Sequence, residues 1–324
     1  MPTVLVTGGA GYLGAHACLA LSHAGFTPVA FDDFSNGHRE HVQWGPLEVG
    51  DINDGVRLDE VFSTHRPVAV LHFAARIEVG ESTRDPGPFF RTNVSGTITL
   101  IEAARRAGVN ALVLSSTCAT FGDPVFLPMD EMHPQQPLNP YGRTKLMVEQ
   151  LLADYDRYVG FRSTVLRYFN AAGADLEGRI GEWHEPETHA IPLALQVALG
   201  RRDRFTIFGE DYDTRDGTAL RDYVHVLDLA DAHILALRRL LAGGGSTAYN
   251  LGTGAGTTVR ELIQGVERVT GRPLPVDVAP RRDGDAPVLV ANSAKAQAEL
   301  GWRATRDLDT ILGSAWRWHR AQGV

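Results

Sequence analysis

The chain has 324 residues, 44% of them apolar and 22% charged, which describes an ordinary globular polypeptide with room for one large or two modest cores. A formal net charge of −8 argues against nucleic acid or an anionic membrane as the main partner. Two cysteines, Cys18 and Cys118, form neither a disulfide framework nor a metal-ligand spacing, so a reducing, cytoplasmic setting is expected and no metal is.

The N-terminal residues run straight toward a strand, with no basic leader and no long apolar stretch, so neither a signal peptide nor a membrane span is expected. The first predicted strand, Thr3–Thr7, opens into VLVTGGAGYLGAH (4–16), where a helical pattern, Tyr12–Ala24, begins. Gly9, Gly11 and Gly14 fit G-x-G-x-x-G, and Gly8 adds a second frame. Glycines there allow a tight turn and close approach to a pyrophosphate, and the helix start offers free N–H groups and a positive dipole end. The second strand, Pro28–Asp32, ends in AFDDFSNG (30–37). An acid at that point accepts hydrogen bonds from a ribose 2′-hydroxyl. Asp32 is the choice, with Asp33, Ser35, Asn36 and Gly37 in the same loop, and its charge favours NAD over NADP. After the third strand, Leu47–Val49, the GDI of 50–52 puts Asp51 and Ile52 along the adenine.

Three more strands are predicted at Val68–Phe73, Ala111–Ser115 and Ser163–Tyr168, and Val94–Ala107 is read as a helix ended by Gly108. Several strands are almost wholly apolar, as strands buried on both faces should be. Strand–helix alternation of this kind indicates an α/β chain built on a Rossmann-type doubly wound parallel sheet. The fifth strand runs into LSSTCATFGD (114–123), which places Ser116 and Thr117 where such sheets bind ligands. Next, LNPYGRTKLMVEQ (138–150) puts Tyr141 and Lys145 one helical turn apart behind Pro140, a good first helical residue. A phenol of pKa about 10 becomes a usable base only if its anion is stabilised by about 4 kcal/mol, and an ammonium one turn away is placed to help. From about residue 172 the texture is irregular, and the glycine run in LLAGGGSTAYNLGTG (240–254) is read as a surface turn. The expected division is a cofactor-binding domain at 1–171, with 215–246 packing back on it, and a smaller α/β substrate region at 172–324.

These motifs, together with HFAARIEVGES, RYFNAAGAD, IFGEDYDTRDGTALRDYVHVLDLADAH, NLGTG and the RRDGD…KAQAELGW stretch, resemble the extended short-chain dehydrogenase/reductase family over roughly residues 4 to 302. Within it the resemblance is to nucleotide-sugar 4-epimerases. It implies tightly held, recycled NAD, and a UDP-sugar (UDP-glucose or UDP-galactose) inverted at C4 through a transient 4-keto sugar. It implies Tyr141 as the proton-transfer group, Lys145 on the nicotinamide ribose, and Thr117, with Ser116 beside it, assisting. Phe73, Ala74, Ala75, Ile77, Thr92 and Phe169 fall on the cofactor side. Arg221 and Arg282 go to the phosphates, with His189 near them, Asp285 to the uridine ribose, Thr206, Ile207 and Phe208 to the uracil, and Asn170 to the substrate. A homodimer pairing the helices of 94–107 and 141–158 is implied as well.

Several positions depart from the family pattern. Ile77 stands where a lysine is common, Thr92 where some members have Asn, and Phe121 where a tyrosine is usual. Leu289 sits at a position that limits the sugar pocket and leaves UDP-N-acetylhexosamines and UDP-pentoses (UDP-xylose, UDP-arabinose) open as alternatives. Dehydratases of the group carry an Asp-Glu pair after the fifth-strand hydroxyl, whereas this chain has Cys118 and Ala119, which cannot serve as that acid and base. A non-catalytic NAD-binding sensor is the remote reading, since a sensor has no use for the Tyr–Lys pair.

Overall fold

The computed structural model describes residues 1–282 and 285–322, so Asp283 and Gly284 of the RRDGD stretch lie outside the described residues. In chain order the first half contains β1 (Thr3–Thr7), α1 (Tyr12–His23), β2 (Thr27–Asp32), β3 (Leu47–Val49), α2 (Gly55–His65), β4 (Ala69–His72), α3 (Thr97–Arg106), β5 (Ala111–Thr117), α4 (Pro140–Val159) and β6 (Arg162–Tyr168). The second half adds β7 (Asn170–Ala172), α5 (Ala190–Ala198), β8 (Phe205–Phe208), β9 (Leu220–Arg221), β10 (Tyr223–His225), α6 (Val226–Leu241), β11 (Thr247–Leu251), α7 (Val259–Thr270) and α8 (Leu308–Ala321).

Seven parallel strands make the central sheet in the order β11-β6-β5-β4-β1-β2-β3. Successive residues of a strand point to opposite faces, and two cores follow from that alternation. Val4, Val6, Leu71 and Val113 pack on one face with α1 and α6, while Leu5, Phe31, Val70, Leu112 and Leu114 pack on the other with α2, α3 and α4. The chain leaves β1 toward β2 and β3, then crosses to β4 on the other side. The strand order therefore reverses between β1 and β4, the place where open parallel sheets form a ligand crevice. A third core, built from Ile191, Leu195, Ile207, Leu262 and Leu312 among others, supports the C-terminal region.

The glycine run of 243–245 forms a surface turn after α6, as expected, but it leads into an element not among those predicted: Thr247–Leu251 is β11, paired in parallel with β6 from Thr247↔Thr164 to Leu251↔Tyr168. The alternation of Thr247, Tyr249 and Leu251 fits a strand, but a five-residue segment between glycine clusters carries too little pattern to stand out. The helix expected from Val94 begins at Thr97, preceded by a wide π-type turn over Phe90–Gly96. Gly108 ends α3 at φ +76°, the left-handed geometry that glycine adopts without strain. Among the described residues, no helix is long and apolar enough to cross a membrane.

Candidate active site

The turn after β1 is compressed in a way that only glycine allows. Gly8 sits at φ +73°, and a Cβ there would lie 2.7 Å from the Ala74 nitrogen at the end of β4; a Cβ on Gly14 would lie 2.0 Å from the Gly8 carbonyl oxygen. Gly11, by contrast, has only the Gly8 oxygen near its missing Cβ, at 3.3 Å, and it starts α1 with no side-chain cap. The result is an open cradle of backbone at a bare helix N-terminus, which fits a dinucleotide pyrophosphate. Asp32, 8% exposed, closes the cradle: one carboxylate oxygen accepts from the Ala10 N–H and the other from the Phe34 N–H, both at 2.9 Å. Burial raises its pKa, and the two backbone donors oppose that.

The other expected cofactor residues surround this turn with different roles. The Tyr12 hydroxyl donates to the Gly173 carbonyl at 2.7 Å, tying α1 to the second region, and Leu13 packs on the core. Asp33 accepts from the Ser35 N–H, Asn36 reaches Glu78 at 3.3 Å, and Gly37 lies against Asp32. Asp51 accepts from Asn53 on the surface, while Ile52 is buried in the core beside Gly96. The Phe73 ring turns to His233, 4.7 Å away. Ala74 and Ala75 lead to Ile77, in a loop held by the residue next to Thr92: buried Asn93 accepts from the Arg76 N–H and donates to the Arg76 carbonyl and to Thr144.

Helix α4 starts as its sequence requires, with Asn139 capping the Gly142 N–H and Pro140 first inside. Gly142 matters for position: a Cβ there would lie 2.3 Å from the Ala119 carbonyl oxygen, so its absence lets the helix press onto the turn after β5. That contact brings Tyr141 to Thr117. Burial pushes the phenol well above its ordinary value, and the Thr117 side chain, within hydrogen-bonding reach, works against that shift. Lys145, 4% exposed, donates from Nζ to the Ser115 carbonyl at 2.9 Å; burial lowers it to about 8, with Glu149 opposing.

Ser116 has a different job from the one expected. It follows Ser115 and precedes Thr117 in an extended strand, so it points away from their side. Its hydroxyl donates to Glu149, which is clamped by Arg167 through three N–H bonds of 2.6 to 3.1 Å and accepts from Gln135 at 2.8 Å. This buried ion pair fixes the back of α4 to β6, and Ser116 belongs to it rather than to the phenol. Beneath the site, buried His72 joins Thr7 at 2.6 Å and Thr97 at 2.9 Å. Thr97 spends its own proton on the Asn93 carbonyl, so His72 donates from Nε2 and accepts from Thr7 at Nδ1.

The expected substrate residues form a second group. Asp285 faces both phosphate candidates: it accepts from Arg282 Nε at 2.9 Å and lies 3.6 Å from an Arg221 nitrogen. Arg221 also donates to the carbonyls of Leu220 and Ala286, while Arg282 stacks over Phe208 at 4.6 Å. Thr206 and Phe208 point out of β8, but Ile207 is 1% exposed in the third core, so its side chain cannot flank a ligand. Asn170 begins β7, and its N–H donates to the Asp222 carbonyl. Phe169 sits in a small apolar cluster with Phe121, Met129 and Ala291, against which Leu289 and Cys118 pack. His189 is engaged by Glu182 at 2.6 Å.

The sequence profile of the NAD dependent epimerase/dehydratase family matches residues 4–252. The chain belongs to that family. Family relatives that it resembles include a UDP-glucose 4-epimerase of Rhizobium leguminosarum bv. trifolii, 64% identical over 317 residues, 98% of this chain and 97% of that protein. Among solved structures, the UDP-glucose 4-epimerase from Brucella ovis in complex with NAD superposes with a TM-score of 0.96 at 49% identity, covering 98% of each chain. The enzyme from Stenotrophomonas maltophila with bound NAD and formylated UDP-arabinopyranose gives 0.97 at 42% identity, over 99% of this chain and 98% of that one.

Within this family member, sequence reasoning missed Glu149, Arg167, Asp222 and Gly142. Asp222, fully buried, accepts from the N–H groups of Thr253, Gly254 and Ala291 and from the Thr253 hydroxyl. A signal did exist for Gly142: a glycine in the first turn of a helix lowers helix propensity and calls for a packing reason.

Proposed function

We propose that this chain catalyses the NAD-dependent 4-epimerisation of a UDP-sugar, interconverting UDP-glucose and UDP-galactose through a 4-keto sugar. The observation that carries the reading is the grouping of Tyr141, Thr117 and Lys145 at the crevice end of β5, beside the glycine cradle. When bound, NAD supplies a hydride acceptor and donor for C4 and, when oxidised, a positive charge. The chain's own groups do the rest. Tyr141 takes the proton of the C4 hydroxyl and later returns it, with the Thr117 hydroxyl between phenol and sugar. Burial alone would leave the phenol too weak a base, so its anion depends on cationic charge nearby, of which Lys145 is the protein's share.

Gly8, Gly11 and Gly14 with Asp32 hold the dinucleotide, and the Lys145 ammonium orients its ribose. Arg221 and Arg282, kept in register by Asp285, bind the diphosphate, and Thr206 and Phe208 flank the base, with Asn170 on the substrate side. Anchoring through the nucleotide leaves the 4-keto sugar free to turn over between removal and return of hydride. Cys118, pushed up to about 11 by burial, keeps its proton at neutral pH and cannot act as the base of a dehydratase, and Ala119 beside it offers no titratable group. Leu289 against Phe121 and Phe169 bounds the sugar end. A pentose reading is favoured by one observation, the UDP-arabinopyranose derivative bound in the Stenotrophomonas relative.

A homodimer through α3 and α4 is part of the proposal. Tyr155 joins the two helices by a hydrogen bond to Glu102 at 2.6 Å, and Ile98 and Met147 remain 37% and 39% exposed on them. Light scattering is expected to give twice the chain mass. A cytoplasmic setting fits two free cysteines.

The test is incubation of purified protein with UDP-galactose and no added cofactor, following the anomeric protons by NMR. UDP-glucose is expected to accumulate, and Tyr141→Phe is expected to lower kcat by about 10²- to 10⁴-fold with NAD still bound. Full activity in that variant would refute the mechanism. Turnover of UDP-arabinose alone would move the substrate to the pentose class.

A further inference from the structure

The loop between β7 and α5 brings four metal-binding side chains to one point: Glu182, His184, Glu187 and His189, with one donor atom from each lying within 4.8 Å of all the others. Four of the separations are known. Glu182 Oε1 is 2.6 Å from His189 Nδ1 and 3.5 Å from His184 Nδ1, while Glu187 Oε2 lies 3.8 Å from His184 Nδ1 and Glu187 Oε1 lies 3.6 Å from His189 Nδ1. Tetrahedral zinc with bonds of about 2.0 to 2.1 Å needs its donors about 3.3 Å apart. Three of the four separations are within half an ångström of that, and the fourth opens if His189 releases its ion pair with Glu182.

The cluster is built rather than accidental on three counts. Glu182 is 5% exposed, and its carbonyl accepts from the Trp318 indole at 3.1 Å, so its backbone is fixed. Glu187 Oε1 accepts from the N–H groups of Thr188 and His189, both at 2.8 Å, which aims the carboxylate inward. The His184 Nδ1 atom is buried without a hydrogen-bond partner while facing both carboxylates. Two imidazoles and two carboxylates are a donor set suited to a borderline divalent metal, and they neutralise its charge.

We propose that Glu182, His184, Glu187 and His189 bind one divalent transition metal ion, zinc by donor type, as a structural clamp. The clamp would lock a loop whose Trp183 stacks on His38, 3.9 Å away, and whose last ligand, His189, immediately precedes α5. It would thereby hold the second region against the loop that follows β2. None of Tyr141, Thr117 and Lys145 takes part, so the clamp leaves the proton-transfer groups alone, while His189, expected near the diphosphate, would serve the metal instead.

The test uses tag-free, full-length protein stripped with chelator, dialysed against zinc chloride, gel-filtered and assayed by mass spectrometry for metal per chain. Wild type is expected to retain one zinc and to melt at a higher temperature with zinc than without. His184→Ala and Glu187→Gln should each weaken zinc binding by at least about tenfold and abolish the zinc-dependent shift in Tm. Melting of each variant without zinc shows that it is folded. Cobalt in place of zinc should give the visible absorption of a tetrahedral ion in wild type only. Equal zinc retention by wild type and both variants, or none by any of them, would overturn the proposal and leave the four residues a proton-linked ion cluster.

Discussion

Lys145 is the most direct handle on the site's electrostatics, and Lys145→Met keeps its shape while removing its charge. In the folded protein, burial takes the ammonium from 10.5 to about 8, with Glu149 pulling the other way. An unfolded chain therefore holds this proton between about pH 8 and 10.5 when the folded chain has released it. By linkage, wild-type stability rises with pH across that window through this group, and the slope is absent from the variant. At about 1.4 kcal/mol per pKa unit, wild type should gain about 2.5 kcal/mol on the variant between pH 7 and pH 10. Titrations common to both proteins cancel in the difference. Urea unfolding of the two cofactor-stripped proteins at both pH values measures it. A difference that stays constant within about 0.5 kcal/mol would show that Lys145 does not titrate near 8, and the account of a strained, desolvated ammonium would fall. The same variant should lose most of its turnover, since the phenolate of Tyr141 loses the protein's own cation.

Glu149→Gln leaves the Arg167 guanidinium buried without its carboxylate and should cost about 3 to 5 kcal/mol in urea unfolding; a loss under about 1 kcal/mol would show the pair to be dispensable. Gly14→Ala sets a methyl group 2.0 Å from the Gly8 carbonyl oxygen, so the cradle must open. Its NAD affinity, read by calorimetry, should fall at least about tenfold, the size of effect expected when a binding constellation is displaced. Half-buried Cys118, with its thiol raised to about 11, should react slowly with iodoacetamide at pH 7 and faster toward pH 11, as followed by intact mass; fast alkylation at neutral pH would contradict the raised thiol.

The features legible in the sequence were those that short-range physics dictates. The glycines of 8–14 answer to backbone sterics within one turn, and the Tyr141–Lys145 spacing follows from the helical period. The buried strands declared themselves by apolar runs such as VLV at 4–6, and the fold class followed from the alternation of such runs with helices. Even the end of α3 at Gly108 was readable, because a left-handed residue has few candidates.

Other roles depend on which segments meet. Ser116 and Thr117 are adjacent hydroxyls of the same kind, and only the packing of α4 against β5 decides that Thr117 faces the phenol while Ser116 bonds to Glu149. Ile207 reads like its neighbours Thr206 and Phe208 until the third core claims it. The Glu149–Arg167 pair, the Asp222 hub beneath Thr253 and Ala291, and the strand Thr247–Leu251 all join residues that no local pattern connects. The four ligand candidates at 182–189 lie close in sequence, yet their convergence needs the loop held by Trp318 and α5. Sequence by itself determined the sheet type, the glycine turn after β1 and the Tyr141–Lys145 spacing, because those rest on steric and helical rules acting over a few residues. The face each side chain presents and the partner it meets were left to the tertiary structure, because burial and long-range pairing are properties of the assembled chain.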